Sequence, residues 1–110
     1  MKRGEIWTIA GGPDYAGKPR PAVVLQDDRF EEVPFRTVCA FTSDAFEGAT
    51  TRLLVQPDSG NGLRSPSRLM VDKLTTVPRS KFGRRIGQLG SDDMLRLERS
   101  VLVFLGLAGG

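Results

Sequence analysis

The sequence predicts a mainly β protein of the α+β class, in which short antiparallel strands form a strongly curved sheet or small barrel and one C-terminal helix packs on it. Short β-rich segments separated by turn residues fill most of the chain, whereas helical spacing of apolar residues occurs only near its end. The chain has 110 residues, of which 39% are hydrophobic, as expected for a small globular unit with its own core. We therefore expect one domain spanning residues 1–110.

The predicted strands are rich in β-branched and aromatic residues and are bounded by residues that favour turns. The second contains the apolar run PAVVL, which is typical of a strand buried on both faces. The segments are residues 5–10, 21–26, 36–42, 52–56, 68–74 and 84–89. We interpret residues 75–78 as the exit from the fifth strand and 79–83 as a turn.

One amphipathic helix is predicted to begin after Ser91, which we expect to be its N-cap. Two aspartates follow in the first turn, where the helix dipole favours negative charge. Gly106 suits the C′ position that ends a helix. Apolar residues at helical spacing form one face that we expect to pack in the core or in a dimer: Met94, Leu95, Leu97, Val101, Leu102, Phe104 and Leu105.

Composition restricts the chemistry available to this chain. It has no histidine and one cysteine, Cys39, so the commonest general base, an internal disulfide and a thiolate metal cage are excluded. Catalysis would rest on Arg, Lys, Asp, Glu, Ser, Thr or Tyr, and we expect no metal or other cofactor. No apolar run is long enough to span a bilayer and no signal-peptide h-region is present, so we expect a cytoplasmic protein without a membrane partner.

The net charge of +3 favours a polyanionic partner such as nucleic acid. On charge alone, a soluble protein that is basic without such a partner is an equal alternative. The sequence motifs must decide between these two interpretations.

Five short motifs occur in order along nearly the whole chain: RGEIW at 3–7, GKPRPAVVL at 17–25, AFTS at 40–43, SRLMVDKLTTV at 67–77 and RIGQL at 85–89. Each motif alone is weak, because an Arg-Pro pair before an apolar strand is common, but five in register are specific. Together they resemble the MazF/PemK family of bacterial toxins.

The resemblance implies an SH3-like barrel of the CcdB/MazF type with a C-terminal helix, assembled as a homodimer. It also implies the toxin of a type II toxin–antitoxin system, with an antitoxin protein as partner and single-stranded RNA as substrate. Such a toxin is a sequence-specific, metal-independent endoribonuclease that inhibits translation and growth. The ribose 2′-hydroxyl attacks the adjacent phosphate, which leaves a 2′,3′-cyclic phosphate and a 5′-hydroxyl.

By resemblance, Arg20 is the catalytic arginine and Thr42 the active-site threonine. A guanidinium stays charged and presents a rigid fork of donors, so Arg20 suits the charge that develops on a reacting phosphate. The hydroxyls of Thr42 and of its neighbour Ser43 can donate to phosphate oxygens. By residue type alone, Arg20 would be an ordinary surface arginine and Thr42 a β-former at a strand end.

The identity of the general base stays open between two acids. Family members often carry a glutamate in the loop before the catalytic arginine, and Asp14 matches it if one extra residue is allowed; a Pro-Asp turn is the equal alternative. Asp72 is the second candidate, because a related branch uses an acid on this strand, and a structural salt bridge is its alternative. Lys73 replaces the glutamine that usually follows this acid and lies near the expected RNA groove.

The other candidates for substrate binding are basic or aromatic. Lys18 lies in the motif around Arg20. Tyr15 and Phe46 lie in predicted loops and are candidates for stacking on RNA bases. A basic cluster near the last strand can follow a phosphate backbone or form a solvated edge of the fold: Arg79, Lys81, Arg84 and Arg85.

Two other functions are compatible with this fold. One is a non-enzymatic toxin that poisons DNA gyrase, but that branch depends on a C-terminal tail containing Trp, whereas this chain ends Leu107-Ala108-Gly109-Gly110. The other is a non-catalytic module that holds RNA. Cleavage of RNA separates both from the endoribonuclease.

Overall fold

The computed structural model describes residues 1–10, 18–43 and 51–108. The mainly β class with a C-terminal helix is confirmed. Within these ranges, short 3-10 turns lie at Asp28–Phe30, Val71–Lys73 and Arg79–Lys81. The described strands and helix are β1 (Glu5–Ile9), β2 (Arg20–Val24), β3 (Phe35–Thr42), β4 (Arg52–Val55), β5 (Ser67–Met70), β6 (Thr75–Pro78), β7 (Phe82–Gln88) and α1 (Ser91–Phe104).

The strands form one antiparallel sheet in the order β4-β5-β3-β2-β1-β7, and β6 pairs with β3 beside this path. β3 pairs with two different strands on the same side: residues 35–38 pair with β6, whereas Phe41 and Thr42 pair with β5. The strand order is an open path among the described residues, so the sheet is curved rather than closed into the expected barrel.

The strand predicted at 68–74 is wrong beyond Met70. β5 ends there, and the 3-10 turn Val71–Lys73 redirects the chain into β6. β6 pairs with β3 from Thr75 opposite Val38 to Pro78 opposite Phe35, so the segment expected to be only an exit is a strand. No glycine or proline interrupts residues 68–74, and the break depends on pairing with a distant strand, which a local pattern does not contain.

The hydrophobic core lies on both faces of the central strands. On one face, Val23 of β2 packs in a buried cluster that includes Leu97 of α1. On the other face, Val24 packs in a second cluster beneath Trp7 and Phe82, whose rings meet edge to face with centroids 6.3 Å apart. The prediction that β2 is buried on both faces is confirmed.

The start of α1 differs from the prediction. Gly90 is the N-cap and Ser91 is already helical, without a side-chain cap hydrogen bond. The reason lies just before the helix, where Leu89 is buried and donates its N–H to the Gly4 carbonyl at 2.9 Å. This anchor turns the chain directly after Leu89, one residue earlier than the capping preference of serine indicates.

The end of α1 follows the prediction. Gly106 has φ +74°, its N–H donates to the Val103 carbonyl at 3.0 Å, and the Leu107 N–H donates to the Leu102 carbonyl at 2.8 Å. These two bonds form a Schellman motif, in which a left-handed residue after the helix favours glycine. Gly106 is therefore the C′ residue that was expected.

The apolar face of α1 is only partly covered within this chain. Met94 and Leu97 are buried, but Phe104 and Leu105, which were expected in the same packed face, are 46% and 53% exposed. Val101 also packs against the core cluster, but Leu95 and Leu102 of the predicted face are exposed, so the helix projects apolar area to the surface. In the part of the chain described, no helix combines the length and the apolarity that crossing a bilayer demands.

Candidate active site

A cleft of about 290 Å³ lies where β2 begins and β3 ends, and we call it the arginine cleft. Arg20 is the first residue of β2 and Thr42 the last of β3. Because these strands are antiparallel, with Ala22 opposite Ala40, Arg20 and Thr42 lie at the same edge of the sheet. Ser43 follows Thr42 and lines the cleft with them. The cleft thus unites the three residues assigned from the second and third motifs.

The rest of the arginine cleft comes from distant segments. Thr8 of β1, Arg84 of β7 and Arg64 from the loop before β5 line it, together with Ser65 and Ser67. The Arg84 N–H donates to Thr8 Oγ1 at 3.0 Å, which joins the two strands at the cleft wall. Its described lining includes three arginines and several hydroxyls but no carboxylate, so the site suits an anionic ligand.

Arg20 also lines a second cleft, of about 490 Å³, which we call the apolar cleft. Its lining is largely apolar and includes Ile9, Leu74 and Val77, with the exposed Lys73 beside them. A site with an apolar surface for a flat ring and a cation for a phosphate matches the two parts of a nucleotide. The single guanidinium of Arg20 therefore joins a polar cleft to an apolar one.

Both central side chains are presented by strands rather than loops. Arg20 lies opposite Ile9 in the β1–β2 ladder, and Thr42 lies opposite Arg68 in the β3–β5 ladder. These pairings fix the backbone positions of the two residues on both sides of the cleft. A site supported by paired strands holds its donors more accurately than a site built on loops alone.

Asp72 lies outside both clefts and is held in an ion pair. Arg52 Nε donates to Asp72 Oδ1 at 2.7 Å and Nη2 donates to Oδ2 at 3.0 Å, a bidentate arrangement. The hydrogen bonds from Arg52 hold the pKa of the Asp72 carboxyl below its ordinary value. A general base works best with a pKa near the operating pH, so this pair favours the structural alternative for Asp72.

The predicted basic cluster is divided by the structure. Arg84 lines the arginine cleft and Lys81 the apolar cleft, whereas the exposed Arg79 lines neither. Arg85 forms an ion pair with Glu5, with 3.2 Å between Nε and Oε2. The cluster therefore supplies two residues to the site rather than four.

The remaining predicted residues fall into two groups. Lys18 is exposed and lines neither of the two clefts. Asp14, Tyr15 and Phe46 lie outside the described residues. The choice between the two candidate bases therefore rests on the pairing of Asp72 with Arg52.

Sequence reasoning missed Thr8, Arg64, Ser65 and Ser67 as lining residues. Thr8 looked like one residue of an alternating strand, and Arg64 followed a turn-rich segment that was treated as a connection. An arginine two residues after the dense turn cluster SGNG was the one available signal, because functional residues often lie in loops held by a rigid scaffold.

Cys39 is not part of this chemistry. It is buried in the core, and burial raises the pKa of its thiol to about 12, so the nucleophilic thiolate is scarce at neutral pH. Among residues 1–10, 18–43 and 51–108, no group of three or more His, Cys, Asp or Glu side chains is arranged to hold a metal ion.

The fold and the site define a class of protein. A small antiparallel sheet presents arginine and hydroxyl donors from two strand ends, beside an apolar surface of nucleotide size. Such a combination is suited to a single-stranded nucleic acid, whose phosphates need cations and whose bases need apolar contact.

Comparison with known proteins places the chain in a family. The model for the PemK-like, MazF-like toxins of type II toxin–antitoxin systems matches residues 2–105. The "Probable endoribonuclease MazF" of Mycolicibacterium smegmatis is 46% identical over 109 residues, which cover 99% of this chain and 100% of that protein. The chain therefore belongs to the PemK-like, MazF-like toxin family.

Solved structures share the fold. The Mycobacterium tuberculosis toxin MazF-mt6 has a TM-score of 0.78 at 27% identity, covering 96% of this chain and 99% of its own. An endoribonuclease from a Mycobacterial species, solved in complex with its cognate antitoxin, has a TM-score of 0.82 at 14% identity, covering 100% and 99% of the two chains. At such low identity, the second match shows the common fold alone.

Proposed function

We propose that this chain is an endoribonuclease that cuts single-stranded RNA, sequence-specifically and without a metal, as the toxin of a type II toxin–antitoxin pair. The observation that supports this function is the convergence of Arg20 and Thr42 in the arginine cleft. The family membership, and the identity of 46% with a MazF endoribonuclease, add to the same proposal. Cleavage of messenger RNA would inhibit translation and growth.

The proposed reaction is an internal transesterification. The ribose 2′-oxygen forms a bond to the adjacent phosphorus and loses its proton to a base. The bond from phosphorus to the 5′-oxygen of the next nucleotide breaks, and that oxygen takes up a proton. The products are a 2′,3′-cyclic phosphate and a 5′-hydroxyl, so DNA, which lacks the 2′-hydroxyl, is not a substrate.

Each proposed catalytic residue has a distinct role. Arg20 binds the non-bridging phosphate oxygens and stabilises the charge that increases as the pentavalent state forms. Thr42 and Ser43 donate hydroxyl protons to the phosphate and hold it in line for attack. We assign the base to Asp14 rather than Asp72, because Arg52 occupies both oxygens of the Asp72 carboxylate.

The substrate-binding residues follow the two clefts. Lys73 and Arg84 line them beside Arg20 and are proposed to bind RNA phosphates. The exposed Lys18 and Arg79 would extend this basic surface. Tyr15 and Phe46 stay predictions for base stacking, and Asp72 stays a prediction for substrate contact.

The proposed protein partners are a second copy of the chain and an antitoxin. The Mycobacterial endoribonuclease with this fold is in complex with its cognate antitoxin, and a MazE–MazF complex from Deinococcus radiodurans shares the fold with a TM-score of 0.77. An antitoxin segment of acidic or mixed charge would fold over the basic cleft on binding. We place the working protein in the cytoplasm, where its RNA substrate lies.

The test uses the purified chain and a long single-stranded RNA, incubated with and without EDTA. Primer extension maps the cuts, and enzymatic end-labelling identifies the termini. We expect discrete cuts with 5′-hydroxyl and cyclic phosphate ends, unchanged by EDTA. Intact RNA would contradict the proposal and lead to a DNA gyrase assay, and loss of cleavage in EDTA would contradict its metal-independent form.

A further inference from the structure

We propose that Arg64 is a further phosphate anchor of the arginine cleft, in addition to Arg20 and Arg84, and that it binds an RNA phosphate other than the one that is cut. This inference rests on the proposed function. Arg64 lines the same cleft as Arg20 and Thr42 but comes from the loop before β5 rather than from a strand. Contacts within this loop and with β7 fix the backbone position of Arg64 before RNA binds.

Asn61 is the centre of this loop. It is fully buried, and its Oδ1 accepts the N–H groups of Asp58 at 3.1 Å and Leu63 at 3.0 Å, while its Nδ2 donates to the Gln56 carbonyl at 2.9 Å. Asp58 Oδ1 in turn accepts the N–H groups of Gly60 and Asn61, both at 2.8 Å. These bonds satisfy the turn internally and leave it little freedom.

The same loop is seated on the backbone of β7. The Gln88 N–H donates to the Gly60 carbonyl at 2.9 Å. Gly62 has φ +71°, and a Cβ placed on it would lie 2.1 Å from the Ile86 carbonyl oxygen, so only glycine permits this approach. Beyond Arg64, Ser67 Oγ donates to the Ser65 carbonyl at 3.1 Å. The backbone is therefore fixed on both sides of Arg64.

The side chain of Arg64 is suited to a ligand. It is exposed, and no ion pair or side-chain hydrogen bond ties it to another described residue. Because the backbone is already fixed, only the side chain of Arg64 must be ordered when its guanidinium binds phosphate bidentately. Arg20 and Thr42 line the same cleft and are assigned to the reacting phosphate, so Arg64 is placed for another phosphate of the same strand.

The salt dependence of binding tests this assignment. The probe is a labelled, fully 2′-O-methylated strand copied from the transcript of the cleavage assay, which binds without being cut. For single strands, log K falls with log salt by about 0.7 for each phosphate contact, so Arg64→Ala should reduce the slope by about 0.7. Arg64→Lys should keep the slope, because lysine retains the charge.

Arg29→Ala is the matched control, because it also removes one exposed positive charge. Arg29 lies in the turn after β2, at the opposite end of that strand from Arg20. Its removal should leave the slope unchanged. An equal loss of slope in Arg29→Ala and Arg64→Ala, or a loss in Arg64→Lys, would overturn the assignment.

Kinetics supply the second readout. We expect Arg64→Ala to raise KM about tenfold with little change in kcat, as for an interaction equal in the ground and transition states. Thermal unfolding of this variant should match the wild type. An unchanged slope and KM, with RNA still cut by the wild type, would overturn this inference alone. A wild type that cuts no RNA would overturn the proposed function, while the binding slope would still report on Arg64.

Discussion

An arginine lies near each end of the β2–β3 pair, and their surroundings differ. Arg20 begins β2 at the arginine cleft, in a half-buried position. Arg36 is the second residue of β3, at the opposite end of the pair, and is 1% exposed. Its guanidinium donates to the carbonyls of Glu31, Val33 and Phe35. Arg36 thus satisfies the chain's own backbone, whereas Arg20 is presented to a cleft.

The charges around the two ends differ in the same way. Near Arg36, cations meet carboxylates: Lys2 pairs with Glu31 at 2.8 Å, and Arg29 pairs with Asp27 at 3.2 Å. The described lining of the arginine cleft has arginines without an acid. Residue type therefore does not separate a structural arginine from a candidate ligand-binding one; the position that the fold gives each arginine does.

The largest expected effect is at the cleft end. Arg20→Ala should reduce the cleavage rate by about 10²–10³-fold, because it removes a donor that stabilises charge in the transition state. Single-turnover assays on a transcript measure the rate, and circular dichroism with thermal melting monitors the fold. Cleavage within tenfold of the wild type, in a folded variant, would refute the assignment of Arg20.

At the Arg36 end of the β2–β3 pair, we expect a loss of stability without a loss of cleavage. Arg36→Ala should lower the free energy of unfolding by about 2–4 kcal/mol, because three carbonyls lose a buried charged donor. Urea denaturation gives this value. At urea concentrations below the denaturation midpoint, cleavage per folded molecule should equal that of the wild type. Loss of cleavage from a fully folded Arg36→Ala variant would show that Arg36 is not purely structural.

Asp72 differs from both arginines, because it forms an ion pair with Arg52 and lines neither the arginine cleft nor the apolar cleft. Asp72→Asn should cost about 1–2 kcal/mol of stability at neutral pH through the lost bond to Arg52. Arg52 lowers the folded pKa of Asp72. The stabilisation is therefore complete above the unfolded pKa of about 3.9 and is lost as pH falls through the folded pKa.

Denaturant titrations at several pH values check this prediction. The stability difference between wild type and Asp72→Asn should shrink in acid. A difference that is constant with pH would show that the pair does not titrate as inferred. If kcat is lost in a stable Asp72→Asn variant, Asp72 rather than Asp14 is the base.

The smallest effect is expected for the surface pair near Arg36. Lys2→Ala should change neither the thermal midpoint nor the cleavage rate measurably, because the side chains of Lys2 and Glu31 are 56% and 41% exposed and water screens their attraction. A clear loss of cleavage in Lys2→Ala would show that the basic surface relevant to RNA extends across the whole sheet.

Much of the fold could be predicted from the sequence because its signals are local. The apolar run of β2 predicts a strand buried on both faces, and Gly106 predicts the helix end through its backbone freedom. The break after Met70 could not be predicted in this way. It exists because residues 75–78 pair with β3, and partners more than 30 residues away leave no mark on local periodicity.

The site residues also differ in whether local sequence predicts them. Arg20 and Thr42 were identified through motifs that resemble a family, and the antiparallel register then brings them together. Arg64 and Thr8 reach the cleft only through the loop seated on β7 and the β1–β7 pairing. Similarly, nothing local to Asp72 shows that Arg52 would bind both of its oxygens.

The wall where Thr8 accepts a hydrogen bond from Arg84 joins two points 76 residues apart in the sequence. On a ribosome, β1 emerges well before β7. Contacts between such distant segments form late in folding, because a long loop must close before they stabilise anything. A chain that has not been extended past Ile86 lacks one wall of the arginine cleft. The order of synthesis therefore postpones completion of the cleft until β7 has left the ribosome.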